Sequence, residues 1–347
     1  MKKVIVAMSG GVDSSVAAAL LKKAGLNVRG VFLKLADLSR FRKGEKRARK
    51  IAKILKIPFL VLDLRKEFKK RIIDYFLKEY KAGLTPNPCV VCNKEIKFGL
   101  LFKKISIGDF ITTGHYARLR NGKLLKGRDK EKDQSYFLWM LNQKQLSRIL
   151  FPIGYYTREE VEKLAKKFKL PVLKARKSVE ICFIQTTIND FLARHLKQKP
   201  GQIIYSTPGV EYRVIGRHRG LAFYTIGQRK GIELPGGPYY VLGKDLKKNI
   251  LIVTKNEKDL LKKELICKNV NWVSGKVPEF PLKIKAKIRY QSELAPAIMT
   301  YKLKNLSTYK LTFTKPQRAI TPGQSVVFYL PAQAGKGQEV LGGGIIN

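Results

Sequence analysis

The chain has 347 residues, 44% of them hydrophobic, and its 70 Lys and Arg against 26 Asp and Glu give a formal net charge of +44. The hydrophobic content is enough for a packed core and argues against wholesale disorder. No segment reaches the length of a membrane span, and the apolar run after the N-terminus is too short for a signal peptide, so we expect a cytoplasmic protein with no membrane partner. The charge predicts a polyanionic partner, RNA or DNA. A Lys-rich genome or a hot habitat is the alternative, but thermophilic surfaces usually enrich Glu alongside Lys.

The first half of the chain alternates short apolar runs with amphipathic charged stretches. Strands are predicted at Val4–Met8, Val28–Leu35, Phe59–Leu62 and Asp109–Thr113, and helices at Ser14–Ala24, Arg42–Lys56, Lys66–Tyr80 and Arg158–Phe168. This alternation predicts an α/β domain with a parallel sheet covered on both faces. Thr157 and Glu160 form the capping-box pattern that opens the last of these helices.

After about Leu196, Gly, Pro and short β-rich runs dominate. Further strands are predicted at Gln202–Tyr205, Ala222–Thr225, Tyr239–Leu242, Ile250–Val253, Leu282–Tyr290, Ile298–Leu303, Lys310–Phe313 and Ser325–Leu330. Short strands at this spacing are typical of a small barrel or sandwich. We therefore predict three domains: an α/β domain at 1–197, a small β-rich domain at 198–263 and a β-barrel at 264–347.

A glycine-rich loop follows the first strand and opens the first helix. It consists of Ala7, Met8, Ser9, Gly10, Gly11, Val12, Asp13 and Ser14. The two glycines let the backbone approach an anion, and the helix start offers free N–H groups and its positive dipole end. Asp13 would repel a phosphate, so we expect Mg²⁺ beside it. The loop lacks the Gly-Lys-Ser/Thr ending of a Walker A loop. Its Ser-Gly-Gly-x-Asp-Ser segment resembles the PP-loop of ATP pyrophosphatases, which cleave ATP between the α- and β-phosphates and adenylate an acceptor.

Two of the four cysteines, Cys89 and Cys92, follow a Thr-Pro-Asn-Pro segment. Asn87 suits the N-cap and Pro88 the first position of a helix, so both thiols fall in its first turn. A helix N-terminus lowers the pKa of a thiol, and Lys94 nearby would add to this, so we expect at least one ready thiolate.

The other two cysteines, Cys182 and Cys267, lie in short apolar runs. Taken alone, each is best interpreted as a buried, inert side chain. No second Cys-x-x-Cys or His pair follows the first, which argues against a structural zinc ribbon. In a reducing compartment the four cysteines are expected to be free, catalytic or metal-bound.

Over nearly its whole length the chain resembles the tRNA-specific 2-thiouridylases, which thiolate the wobble uridine of certain tRNAs. Besides the PP-loop, the motifs that carry the resemblance are Thr85–Phe98, Thr113–Tyr116, Lys132–Phe137, Ile181–Ile184, Gly227–Gly231, Thr321–Ser325 and Leu341–Ile346. The PP-loop alone is shared by many enzymes, but this combination in this order is specific. The resemblance implies a PP-loop domain like that of the adenine nucleotide hydrolases, ATP and tRNA as ligands, and replacement of the 2-oxygen of uridine 34 by sulfur.

The resemblance also implies roles for individual residues. Cys92 falls at the position of the nucleophile and Cys182 at that of the persulfide carrier. Leu33 and Gly114 fall where the family contacts adenosine. The positions implied to contact tRNA are Asn87, His115, Lys132, Asp133, Gln134, Arg289, Tyr290 and Gln324. Taken alone, these would be interpreted as loop, turn and strand residues.

Three departures from the family pattern leave the mechanism open. Cys89 stands where many relatives carry Asp, so three thiols, Cys89, Cys92 and Cys182, could serve a persulfide route or ligate a [4Fe–4S] cluster that binds sulfide. Residues 177–180, Lys-Ser-Val-Glu, replace the usual Asp-Ser-Thr-Gly, and the stretch after Leu33 is short. The sulfur donor, whether a cysteine desulfurase, a relay protein or free sulfide, also stays open.

Three other functions compete with this interpretation. One is a PP-loop ligase or amidotransferase acting on a small molecule, which would need no charge of +44. Another is a non-catalytic RNA-binding protein, against which the intact PP-loop argues. The third is a thiolase for another tRNA position, a class that usually carries paired zinc-binding cysteines or a separate N-terminal RNA-binding module.

Overall fold

A computed structural model describes residues 3–104, 109–171, 181–206, 213–302, 305–331 and 338–347. Within them a parallel α/β sheet, a four-stranded sheet and a closed six-stranded barrel follow one another along the chain. The predicted fold class is thereby confirmed. Among the described helices, none combines the length and the apolar character needed to cross a bilayer.

The N-terminal domain is built on a five-stranded parallel sheet and carries a separate hairpin. Its strands are β1 (Lys3–Ala7), β2 (Asn27–Lys34), β3 (Phe59–Asp63), β4 (Phe110–Thr112), β5 (Ala117–Arg120), β6 (Lys123–Lys126) and β7 (Ile149–Leu150). The sheet order is β3-β2-β1-β4-β7, and β5 pairs with β6. The chain crosses the sheet in opposite directions on either side of β1, so the crevice at its carboxyl end is where such sheets bind ligands.

Helices cover this sheet. They are α1 (Val12–Lys23), α2 (Ser39–Ile54), α3 (Arg65–Phe68), α4 (Asp74–Lys81), α5 (Pro88–Cys92), α6 (Leu101–Lys103), α7 (Gln143–Leu146), α8 (Arg158–Lys167) and α9 (Ile188–His195). π-helical segments, Lys69–Ile73 and Asn93–Leu100, join α3 to α4 and α5 to α6. The predicted capping box of α8 is confirmed, because Thr157 and Glu160 each bind the backbone N–H of the other.

The central sheet consists of β8 (Gly201–Tyr205), β9 (Arg213–His218), β10 (Tyr240–Asp245) and β11 (Ile250–Thr254). Its order is β10-β11-β8-β9. The predicted strand at Ala222–Thr225 is wrong, because Leu221–Phe223 forms a 3₁₀ turn. The side chains of Leu221 and Phe223 join an apolar core with Phe76 and Tyr80 of α4, and a turn lets two nearly adjacent side chains enter the same core.

The C-terminal barrel consists of β12 (Leu261–Trp272), β13 (Leu282–Lys287), β14 (Ala295–Lys302), β15 (Asn305–Arg318), β16 (Ser325–Tyr329) and β17 (Val340–Ile346). It closes in the order β12-β15-β14-β13-β16-β17, with antiparallel neighbours. The sequence did not predict β12, which is rich in Lys, or β17, which contains three consecutive glycines. One of these, Gly342, lies so close to β12 that a Cβ would come within 2.2 Å of the Asn271 carbonyl oxygen.

The three parts meet at Thr85, in the loop between α4 and α5. The Thr85 N–H donates to the carbonyl of Pro322 in the barrel domain at 3.0 Å, and its hydroxyl lies 3.2 Å from that of Thr225 in the central domain. Nearby, the ring of Trp139 packs so closely on the barrel that a Cβ at Gly343 would lie 2.7 Å from it. Both neighbouring domains therefore contact the loop that leads into α5.

Candidate active site

The predicted PP-loop lies at the carboxyl end of β1, where the crevice opens. The Ser9 N–H donates to Ser14 Oγ at 3.1 Å, and the Ser15 hydroxyl donates to the Gly11 carbonyl at 2.7 Å. Gly10 has φ +75°, and a Cβ there would lie 2.2 Å from the carbonyl oxygen of Gly44 in α2. No side chain caps the N-terminus of α1. The loop is therefore tightly packed, and the start of α1 offers its N–H groups to an anion.

The other predicted ATP contacts flank this loop. Leu33 lies at the end of β2 and Gly114 just after β4, the two strands that border β1. A Cβ at Gly114 would lie 2.6 Å from the Ser14 nitrogen, so the β4 loop packs directly on the start of α1. The structure thus brings Ala7–Ser14, Leu33 and Gly114 to one edge of the sheet.

Asp13 is held by two side chains that sequence reasoning missed. The Tyr116 hydroxyl donates to its carboxylate at 3.0 Å, and Arg158 Nη1 lies 2.5 Å from the same oxygen. Burial raises the pKa of Asp13, although Arg158 and Tyr116 act in the opposite direction. Because a guanidinium already accompanies the carboxylate, this arrangement does not fit the Mg²⁺ expected at Asp13. No local signal identified Arg158, which is 145 residues away in the sequence.

The cysteine helix, α5, starts as predicted. Asn87 is its N-cap and accepts a hydrogen bond from the Val90 N–H at 3.4 Å, and Pro88 occupies the first turn. The Cys92 side chain is buried and that of Cys89 is half-buried. The chain then continues as π-helix over Asn93–Leu100. π-Helical segments are rare and frequently lie at functional sites.

None of the three candidate thiols is a ready thiolate. Burial raises the pKa of Cys92 to about 12, and it raises the pKa of Cys89. The surrounding protein atoms raise the pKa of Cys182 to about 11, although its side chain is exposed at the surface. The prediction of a ready thiolate is therefore wrong here, because desolvation outweighs the helix N-terminus. The charges of Cys182 and Cys89 raise the pKa of Cys92 further. Cys92 packs in the same apolar core as Phe183 and Ile184, which follow Cys182 in the chain.

Lys97 is the cation that acts on all three thiols, and Arg40 acts on Cys182 as well; sequence reasoning missed both. The positive charge of Lys97 lowers the pKa of all three cysteines, and it also lowers that of His115. Lys97 lies in the π-helical segment, where the repeat of i to i+5 brings it back toward the side of Cys92. The sequence predicts Lys94 in this role instead, because it is nearer to the cysteines along the chain.

Within the ranges described above, no three His, Cys, Asp or Glu side chains converge closely enough to hold a metal ion. The three thiols as placed therefore do not fit a [4Fe–4S] cluster. Cys267 is buried inside the barrel, as predicted, and Cys182 is exposed, unlike the buried side chain that its apolar run predicts. The segment 177–180 lies outside the described residues.

Three of the predicted tRNA contacts are consecutive in the N-terminal domain. Lys132 is exposed, whereas Asp133 and Gln134 make hydrogen bonds within the protein. The buried Asp133 carboxylate accepts from the N–H groups of Gly127 and Ser135 at 2.9 and 3.1 Å. Gln134 accepts from the Tyr116 N–H at 3.1 Å. Their contact with tRNA stays a prediction.

His115 is buried, with Nδ1 2.6 Å from the Thr113 hydroxyl. Burial lowers the pKa of His115 well below its ordinary value, so its ring is neutral at pH 7. A neutral ring cannot pair with a phosphate, so we expect any contact with tRNA here to be a hydrogen bond.

The predicted contacts from the barrel domain reach the same region. Arg289 donates to the Thr321 hydroxyl at 3.2 Å, and the Tyr290 ring packs on Phe137 with centroids 4.5 Å apart. Gln324 Nε2 donates to the Thr85 carbonyl at 2.8 Å. Gln324 therefore contacts the loop that leads to α5, and the contact of all three residues with tRNA also stays a prediction.

Comparison with known proteins supports one family. Residues 2–186 match the family model described as tRNA methyl transferase HUP domain, 189–255 the tRNA methyl transferase PRC-barrel domain and 262–346 the Aminomethyltransferase beta-barrel domain. The tRNA-specific 2-thiouridylase MnmA of Syntrophomonas wolfei is 44% identical over 353 residues, which cover 99% of each chain. The chain belongs to the tRNA-specific 2-thiouridylase family.

Other members of the 2-thiouridylase family align over the same extent. The MnmA of Clostridioides difficile is 42% identical over 366 residues, covering 100% of this chain and 98% of its own. Among solved structures, the U34-tRNA thiolase NcsA from Methanococcus maripaludis with its [4Fe-4S] cluster is 20% identical, with a TM-score of 0.35 over 51% of this chain and 60% of that one. That likeness is too low to carry an argument.

Proposed function

We propose that this chain catalyses the ATP-dependent 2-thiolation of uridine in tRNA, at the wobble position. The observation that carries the proposal is that the nucleotide-binding edge of the sheet and the candidate cysteine Cys92 pack on one apolar core. Leu33, at the edge beside the PP-loop, packs against the same apolar core as Cys92. Membership in the 2-thiouridylase family supports the reaction and the substrate.

The first half-reaction would activate the base. The uridine 2-oxygen attacks the α-phosphorus of ATP, the bond between the α- and β-phosphates breaks, and pyrophosphate leaves. The N–H groups at the start of α1 and the glycines of the PP-loop would bind the departing pyrophosphate and offset its charge. Mg²⁺ would enter with ATP as part of the substrate complex. The 2-oxygen is now part of AMP, which is a good leaving group.

The second half-reaction would transfer sulfur. In the persulfide route, the outer sulfur of a Cys182 persulfide attacks C2 of the base and AMP leaves with the oxygen. Cys92 then attacks the inner sulfur of Cys182, which forms a Cys92–Cys182 disulfide and frees 2-thiouridine. A thiol reductant must reduce this disulfide before the next turnover. Lys97 would favour the thiolate of each cysteine in turn.

Binding of tRNA would rely on the positive surface. Helix α2, beside the PP-loop, exposes Arg42, Lys43, Lys46, Arg49, Lys50 and Lys53. Such side chains bind phosphates without regard to sequence, and the target base must leave its stack to reach a buried thiol.

The sulfur route and the sulfur donor also belong to this proposal. The persulfide route uses two thiols, whereas a [4Fe–4S] route would recruit Cys89 as a third and needs the three side chains to move together. Cys89 therefore discriminates between them. In the persulfide route the donor would be a cysteine desulfurase or a relay protein, whose own persulfide passes its outer sulfur to the Cys182 thiol and is left as a thiol. Free sulfide would serve as donor in the cluster route, which needs no persulfide.

The test is thiolation by the purified protein. The chain is purified without oxygen, incubated with ATP, Mg²⁺, sulfide or a desulfurase with cysteine, and unmodified tRNA, and the tRNA digest is analysed by mass spectrometry. We expect 2-thiouridine from the wild type and none from Cys92→Ala or Cys182→Ala. Activity kept in Cys89→Ala supports the persulfide route. Loss in Cys89→Ala, together with bound iron in the wild type, supports the cluster.

Release of pyrophosphate without tRNA, and no thiolated nucleoside with either sulfur source, would contradict the proposal. That outcome would favour a PP-loop ligase acting on a small molecule.

A further inference from the structure

Arg40, in the first turn of α2, binds the turn that carries Cys182. Its Nη1 donates to the Cys182 carbonyl at 2.9 Å and its Nη2 to the Ile184 carbonyl at 3.1 Å. The two carbonyls lie on either side of Phe183, and the planar guanidinium spans them with a rigid fork. The single ammonium of a lysine cannot reproduce this geometry.

The helix itself gives no reason for an arginine at this place. A positive charge in the first turn opposes the helix dipole. The first turn of α2 contains no acidic residue, and its N-cap residue Leu38 provides no side-chain cap. The contacts with the Cys182 turn therefore account for Arg40 better than helix stability does.

A second anchor holds the same turn from the other side. The Phe183 ring lies among the rings of Phe68, Phe76 and Phe191, with centroid distances of 5.8, 5.3 and 5.3 Å. Within the turn, the Ile184 N–H also donates to the Ile181 carbonyl at 3.1 Å. The backbone of the exposed Cys182 is thus fixed between an aromatic core and a guanidinium.

Arg40 follows directly after the connection between β2 and α2, which is packed and ion-paired. The short stretch between β2 and α2 buries Leu35 in the core that contains Phe183. Asp37, in the same stretch, pairs with Arg65, which also binds Asp63 at the end of β3. These contacts restrain the connection that leads into α2.

We propose that Arg40 is a positioning residue for sulfur transfer, which holds the Cys182 turn so that the Cys182 sulfur can reach Cys92. This inference rests on the proposed function in that it takes Cys182 as the sulfur carrier. The short β2–α2 connection, a departure from the family pattern, would then serve to bring α2 against the Cys182 turn.

The experiment measures how readily Cys92 and Cys182 join, without tRNA or ATP. Full-length protein carrying Cys89→Ser is equilibrated with reduced and oxidised glutathione, quenched with acid and mapped by mass spectrometry. Two protein thiols give two electrons and two protons to one glutathione disulfide, which yields one protein disulfide and two glutathione thiols. The equilibrium ratio is the effective concentration of one thiol at the other.

We expect Arg40→Ala and Arg40→Lys each to lower this effective concentration about tenfold, since both remove a pair of hydrogen bonds from a charged donor. Arg29→Ala, an exposed arginine on β2, is the matched control and should leave it unchanged. The melting temperature of each variant is measured alongside. If Arg40→Ala fails to fold, Arg40→Lys and the exchange rate of the Ile184 amide provide the same test.

An effective concentration unchanged in both Arg40 variants would overturn the proposal. So would a loss in Arg40→Ala that Arg40→Lys restores, since charge alone would then suffice. Because the measurement uses no tRNA, ATP or sulfur donor, its result is independent of whether the wild type thiolates tRNA.

Discussion

The cysteine helix and the barrel interior each bury a thiol, Cys92 and Cys267, but among the described residues charged and thiol groups act on Cys92 only. Burial raises the pKa of Cys92 in the cysteine helix and of Cys267 in the barrel interior, in each case to about 12. For Cys267, burial is the cause, among neighbours such as Leu311 and Phe328. For Cys92, the charges of Lys97 and of two further thiols also act.

The comparison teaches that an elevated thiol pKa does not by itself separate a reactive cysteine from an inert one. The two sites differ in whether a nearby positive charge can lower the thiol pKa that burial has raised. Cys92 has a cation five residues away on the π-helical segment and partner thiols on two elements, whereas the barrel surrounds Cys267 with apolar side chains. Four predictions test this difference, in order of decreasing effect.

The largest effect is expected from removing one thiol or the other. Cys92→Ala should lower thiolation by at least about 10³-fold, because it removes the attacking sulfur. Cys267→Ala should retain activity within about twofold and lower stability by about 1 kcal/mol, as a small core truncation does. Product yield and urea unfolding measure the two. Equal loss of activity in both variants would remove the distinction between the regions.

Lys97→Met should lower thiolation by about 10- to 100-fold, since a nearby charge is worth a few kcal/mol in a partly buried site. The physical reason is the loss of the cation that favours the Cys92 thiolate. Alkylation of each cysteine with iodoacetamide, followed by mass spectrometry across pH, measures this directly. The Cys92 profile should move to higher pH while that of Cys267 stays. A parallel shift at both cysteines would indicate a general change in structure instead.

Buried thiols should make the protein less stable at alkaline pH. The pKa of Cys267 is raised from 9.0 in the reference state to about 12 in the folded chain, so the unfolded state loses its proton first. Stability is therefore fully present below pH 9 and declines toward pH 12. At pH 10 one such thiol lowers the free energy of unfolding by about 1.4 kcal/mol relative to its value below pH 9. Cys267→Ala should lose less stability than the wild type between pH 8 and pH 10 in urea titrations, and an identical slope would be the contrary result.

The smallest effect concerns a barrel residue that contacts the other region. Gln324→Ala removes the hydrogen bond to the Thr85 carbonyl and should lower thiolation about threefold to tenfold, as the loss of about 1 kcal/mol of positioning would. Gln317→Ala is the matched control, because that side chain donates to Lys315 within its own strand. If tRNA binding rather than positioning is the role of Gln324, the variant will raise KM for tRNA and leave kcat unchanged.

The sequence predicted those elements that are determined by residues close together in the chain. The PP-loop, the capped start of α5 at Asn87 and the capping box of α8 all followed from a few neighbouring side chains. Strand β17 was missed because its glycines carry no β signal. Gly342 and Gly344 allow close approach to β12, and Gly343 allows close approach to Trp139. A 3₁₀ turn replaced the predicted strand at Ala222–Thr225 because tertiary packing decided it.

The missed site residues share a cause, which is that their partners are set by the fold. Arg158 reaches Asp13 from α8, and Arg40 reaches Cys182 across 142 residues. Lys97 was missed because Lys94, which is nearer to the cysteines in the sequence, was expected to be the cation, and the π-helical segment was not predicted. The electrostatics of the thiols depended on burial, which motif spacing does not report.

The Thr85 junction has a consequence for dividing this protein into fragments. The loop that starts α5 takes a hydrogen bond from Gln324 and gives one to Pro322, and Trp139 packs against Gly343. A fragment that ends before the barrel would lose these contacts and expose an indole to water. The three domains therefore cannot be exchanged independently. A chimaera that carries a relative's barrel would also need the relative's loop before α5 and the relative's residues around the Trp139 indole.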